Sequence, residues 1–213
     1  MLRARKLASA ALTTCLVTAG GIGTTVLTAS AAHAGACPTA SQIVTDIKVI
    51  ASGAGDLKSQ LAALTSSSSR NDVQSAAQST AAGLNTMSND SAADASALGG
   101  CTELGSADSQ TVADAFGSLA GATQQMLSAL TGDHSFFAQL VVTAPIASSL
   151  RALEASLDAY AYALLAVAPS PQGAIAGSQS SIGSSLGNAI GVYGQICIPS
   201  PLYPTVQPVC VGV

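Results

Sequence analysis

The residues that come nearest to a catalytic signature are Gly183-Ser184-Ser185-Leu186-Gly187, a formal match to the G-x-S-x-G nucleophile elbow. That motif activates a serine only on a sharp strand-to-helix turn, which forces the hydroxyl outward. Here it lies inside an apolar repeat of helical spacing, with Ile182 and Leu186 on the repeat. The candidate base, His134, stands in a turn between Asp133 and Ser135, and adjacency in sequence does not create triad geometry. Asp90 and Asp94 are one helical turn apart, but the sequence offers them no third ligand and no evident apolar enclosure. Glu154 and Asp158 share a helix face with Arg151, the pattern of a solvated i,i+4 set. The chain reads as non-enzymatic, with no cofactor and no metal.

Cysteine carries the other chemistry. Cys37, Cys101, Cys197 and Cys210 follow an apparent export leader, residues 1–34, which has a basic start (Arg3, Arg5, Lys6), an apolar run from Leu7 to Val17, and Ala32-His33-Ala34 at its end. A fifth cysteine, Cys15, lies within the leader. An even count in an exported chain points to two disulfides. Zinc is the poorer reading, since no C-x2-C spacing occurs and His134 is the one histidine beyond the leader.

Beyond the leader, Lys48, Lys58, Arg70 and Arg151 stand against eleven carboxylates, a net charge of −7. Phosphate neutralisation needs clustered cations, so nucleic acid is excluded as a partner, and docking on an anionic bilayer is disfavoured. Charged residues are 8% of the chain and aromatics 3%, so the polar faces must be built from neutral hydroxyls. Such faces are weakly hydrated and cost less to press against apolar material.

The elements that would position these groups follow from apolar residues recurring at steps of four and three. The stripes are Ile43, Ile47, Ile50, Ala54, Leu57, Leu61, Leu64; then Val73, Ala77, Thr80, Leu84, Met87, Ser91, Asp94, Leu98, weaker after Met87. Val112, Phe116, Leu119, Thr123, Met126, Leu130 form the third, and Ile146, Leu150, Leu153, Leu157, Tyr160, Leu164, Val167 the fourth. The fifth is Ile175, Gln179, Ile182, Leu186, Ala189, Tyr193, Ile196. Ser41 and Ser109 are candidate caps for the first and third helices. Pro145 marks a kink or a fresh start that separates a short piece, 135–143, from the fourth helix. No strand is predicted. The expected fold is all-α: an antiparallel bundle of about five helices over residues 35–196, closed by a disulfide-bonded, extended Pro-rich tail, 197–213. No transmembrane segment is expected in the mature chain.

In an up-down bundle the start of the first helix and the end of the second share one end, which pairs Cys37 with Cys101 and leaves Cys197 for Cys210. Asn89-Asp90-Ser91 is a glycosylation sequon at the fading end of the second helix. The remaining signal is apolar: Phe116, Met126, Leu130, Phe136, Phe137, Leu140, Val141, Leu150, Leu153 and Leu157 exceed what one buried stripe needs. They pack either as core or as a lipid-sized cavity or exposed contact patch.

The run from Asp133-His134-Ser135-Phe136-Phe137 through Ser148-Ser149-Leu150-Arg151-Ala152-Leu153 to Leu157-Asp158-Ala159-Tyr160 and Leu164-Leu165-Ala166-Val167-Ala168-Pro169 resembles the fungal hydrophobic surface-binding protein A family, also called cell-wall galactomannoproteins. Ile43-Val44-Thr45-Asp46-Ile47 is similar too. The resemblance implies a secreted helical protein without catalysis that binds hydrophobic surfaces, lipids or fatty acids, in some members recruiting a secreted esterase. It implies Phe136, Phe137, Leu140, Leu150, Leu153 and Leu157 on the apolar interior. The alternative within that class is a wall mannoprotein that displays glycans. Gly132-Asp133-His134 departs from the family's paired lysine, and the four cysteines and Pro-rich tail are further departures.

Overall fold

A computed structural model describes residues 37–203 and 205–212; the expected leader lies outside them. Five long helices, α1 (Ala40–Leu61), α2 (Arg70–Ala97), α3 (Ser106–Gly132), α5 (Thr143–Val167) and α6 (Gln172–Tyr193), are joined by the short α4 (His134–Gln139) between α3 and α5. Consecutive long helices run antiparallel, as expected of the bundle. Their packing closes a ring in the order α1, α3, α6, α5, α2, with the α1–α2 seam the sparsest.

The stripes explain the ring. Every stripe position of the third and fourth segments is buried, and the second continues past Met87 through Ser91, Asp94 and Leu98, all inside. Phe116 of α3 meets Tyr160 of α5 edge to face across the centre, ring centroids 6.2 Å apart. Because α2 and α3 are not ring neighbours, residues 98–105 cross one mouth of the ring. The Cys37–Cys101 disulfide and the Leu104 N–H donating to the Val167 carbonyl (2.7 Å) pin that crossing.

The other mouth is closed by α4 and the tail. Phe137 and Ala138 are buried, and Phe137 packs against Tyr193, whose hydroxyl donates to the Leu130 carbonyl at 2.7 Å. A Schellman-type ending stops α4: Val142 N–H donates to Phe137 and Val141 N–H to Ala138. Val141, at φ 57°, occupies the left-handed position that glycine usually takes.

Local details differ from the sequence reading. Thr39, not Ser41, caps α1 through a reciprocal pair with Gln42, because its extended backbone (φ −72°, ψ 160°) lets Oγ1 accept from the Gln42 N–H in the first turn. Gly105, not Ser109, precedes α3; Ser109 lies within the helix, its hydroxyl donating to the Leu104 carbonyl. Ser69 caps α2 with Asp72, whose carboxyl is held below its ordinary range by these bonds. Pro145 is a fresh start, in the first turn of α5, where its missing N–H costs nothing. The tail is not simply extended: β1 (Ile196–Ile198) pairs antiparallel with β2 (Val209–Val211), and Ile196 leaves the α6 stripe to become exposed. Cys197 and Cys210 lie opposite each other in this ladder and are bonded, so both expected disulfides form.

Helix spacing at the α1–α2 seam is set by a glycine. A methyl group on Gly83 would stand 2.6 Å from Leu57 Cδ2 and 3.0 Å from its Cγ. Gly83→Ala should therefore lower unfolding free energy by about 1–3 kcal/mol despite alanine's better helix propensity. Gly177→Ala, which meets nothing within 4 Å, should raise it by about 0.5–1 kcal/mol. Urea unfolding of both variants checks the opposite signs.

Candidate functional site

The structure divides the ten apolar candidates. Phe116, Met126, Leu130, Phe137, Leu150, Leu153 and Leu157 are buried in the core. Phe136 and Leu140 are half-buried and line a cleft at the α4 mouth, while Val141 is exposed. Sequence excess of apolar residues thus resolves mostly into core, because five stripes converge on one axis.

The cleft has a volume of about 290 Å³. Val73, Phe136 and Leu140 supply its apolar wall; Thr65, Ser66 and Ser68 bring hydroxyls, and Arg70 brings the cation. Ser200, Pro201 and Tyr203 of the tail form the far side. The tail is held there by the Gln139 side-chain amide, which donates to the Ser200 carbonyl (2.8 Å) and accepts from the Ser200 N–H (2.9 Å), and by Phe136 lying edge to face on Tyr203. Arg70, Gln139, Ser200 and Tyr203 were not among the sequence candidates. Gln139 and Ser200 are 61 residues apart, and nothing local marks such a pair.

A second groove of similar volume follows the α1–α2 seam, with Ile50, Leu57 and Met87 as its floor and Asp56 and Asp90 at its rim. Beyond it, Asp94 is 92% buried and its Oδ2 has no hydrogen-bond partner. Burial, then the carboxylates of Asp46 on α1 and Asp90 on α2, push its carboxyl up to about 7. The enclosure that the sequence did not reveal exists for Asp94, which the helical period carries to the inside, while Asp90 stays at the groove's rim. This groove is hostile to an anion. Thr123 Oγ1, in the core on α3, is likewise unpartnered.

The catalytic candidates are not drawn together into a site. Ser185 donates to the Ser181 carbonyl (3.0 Å) within α6, and the His134 ring faces Tyr193, with Nε2 3.9 Å from Cys197 Sγ. Burial lowers the His134 pKa, and it pushes the neighbouring Asp133 up to about 6. His134, Cys197 and Cys210 bring ligand-type atoms within 4.8 Å of one another, but both sulfurs are committed to the disulfide. Asp158 accepts from Gln179 of α6, which ties it to a neighbouring helix. Asn89 is exposed inside α2 and not at its end, and the Ser91 hydroxyl is buried and bonded to the Met87 carbonyl.

No protein-family model and no curated protein matches the chain. Solved structures do. The crystal structure of AFMP4P in complex with palmitic acid matches at TM-score 0.59 and 22% identity, over 72% of this chain and 99% of that one. Ligand binding domain 1 of the Penicillium marneffei MP1 protein, complexed with arachidonic acids, matches at TM-score 0.53 and 12% identity, over 70% and 94%. At these identities the likeness is one of fold.

Asp94 makes a signed prediction. Its native carboxyl binds a proton more tightly than the unfolded one (ordinary value 3.8), so its contribution to stability is greatest below pH 4 and is lost as pH rises towards 7. Asp94→Asn should remove this dependence. The variant should gain on the parent by on the order of 2 kcal/mol between pH 4 and pH 8. Denaturant unfolding across that range checks it; an unchanged difference contradicts the buried carboxyl.

Proposed function

We propose that this protein is a secreted, non-catalytic binder of a fatty-acid-like ligand, akin to the hydrophobic surface-binding and cell-wall galactomannoprotein group. The observation that carries the reading is the cleft at the α4 mouth, an apolar wall of Val73, Phe136 and Leu140 beside Arg70 and three hydroxyl side chains. That combination suits an aliphatic chain ending in a carboxylate. Arg70 offers charge-assisted hydrogen bonds to the head, and the apolar wall takes the chain. The acidic rim of the α1–α2 groove argues for the same assignment by repelling a carboxylate from the rival site.

Two findings support it further. The fold is that of proteins solved with palmitic and arachidonic acids. Two disulfides suit an oxidising, extracellular setting, and among the described residues no helix is long and apolar enough to cross a membrane. A chain longer than the cleft would enter between the helices by moving α4 and the tail from the mouth. Burying a 16-carbon chain would gain on the order of 10 kcal/mol before entropy losses.

Delipidated protein titrated with palmitate should bind it saturably by native mass spectrometry. Arg70→Gln should weaken that binding about tenfold, the loss of one charge-assisted hydrogen bond at a half-open rim. Absence of saturable uptake would contradict the proposal, and undiminished uptake by the variant would contradict the placement of the head.

A further inference from the structure

The β-ribbon turns one face outward, and among the described residues its side chains there stay largely exposed. In its register Ile196 lies opposite Val211, Ile198 opposite Val209, and Cys197 opposite Cys210. Alternation puts the disulfide on the side facing His134 and the four aliphatic side chains on the other. Ile196, Ile198, Val209 and Val211 are 58–68% exposed, and Leu202 and Val206 of the connecting turn are exposed as well. Residues 195–212 contain no Lys, Arg, Asp or Glu. At the same end, Val141 keeps an exposed, β-branched side chain at a backbone position where glycine would be unstrained.

We propose that this ribbon docks the protein on a neutral, zwitterionic lipid surface. Charge selects the occupant. The ribbon has no group to pair with a charged protein partner, and the acidic body is repelled by an anionic bilayer. A second copy would have to bring two bodies of net charge −7 together against their mutual repulsion before these faces could pair. A neutral lipid interface sets up no such repulsion, and it accepts apolar side chains individually while the bundle stays in water. The disulfide and the Gln139–Ser200 bonds fix the ribbon's orientation in advance, so little ordering is required on docking. The face is separate from the α4-mouth cleft, and its test is independent of ligand uptake.

Flotation of the disulfide-bonded protein with phosphatidylcholine vesicles tests the proposal. The parent should float, less so when phosphatidylserine is added. A variant carrying Ile196→Ser, Ile198→Ser and Val209→Ser should lose at least about tenfold in partitioning, with its helical circular dichroism and palmitate uptake unchanged. Tyr162→Ser, which removes an exposed aromatic on α5, should float like the parent. Equal flotation of the triple variant, an equal loss in Tyr162→Ser, or failure of the parent to float would each overturn the proposal. So would a parent dimer in sedimentation that the triple variant abolishes, since the face would then belong to a second copy.

Discussion

Five helices packed in a ring surround an axis, and the apolar stripes that hold them together can be sealed from water only if both mouths are stoppered. The rest of the structure follows from that constraint. At one mouth a disulfide-pinned crossing joins α2 to α3 over the start of α1. At the other, α4 drops Phe137 against Tyr193, and the tail is hydrogen-bonded over α4. The first stopper is covalently fixed to α1, whereas the second is held on α4 by packing and two hydrogen bonds between Gln139 and Ser200. An entrance, if the interior is to be reached, belongs at the second. The cleft that combines apolar and cationic groups lies there.

The scarcity of charge has a related consequence. Hydroxyls on the outer faces, among them Thr45, Ser59, Thr86, Ser96, Thr111, Ser118 and Ser184, donate back to carbonyls of their own helices. Each bond withdraws a donor from water, so the surface is less firmly hydrated than one built of lysine and glutamate. The same economy fails inside, where Asp94 and Thr123 hold unpartnered oxygens. Those two groups cost stability that an all-apolar core would retain.

Much of this was legible in the residues. The steps of four and three located five helices because a stripe must face the axis once per turn, and the same register, weaker past Met87, carries Ser91 and Asp94 inside, an enclosure that their polarity concealed. The disulfide pairing followed from the up-down order. The β-ribbon was not legible: strands of three residues, Ile196–Ile198 and Val209–Val211, are too short to declare a period, and prolines between them mask the turn. Nor was the mouth cleft, whose walls come from the α1–α2 connection, α4 and the tail. Of its residues, Phe136 and Leu140 were found by apolar excess, whereas Arg70 looked like an ordinary surface cation.

A fatty acid entering beside α4 with its head at Arg70 would lay its chain against Val73 and Leu140. Methyl nuclear magnetic resonance of delipidated protein during palmitate titration follows that cleft and the rival groove together. Signals of Val73 and Leu140 should shift and saturate together at one ligand per chain, ahead of those of Ile50, Leu57 and Met87 in the acidic seam. Shifts confined to the seam, or none at all under saturating palmitate, would contradict entry beside α4.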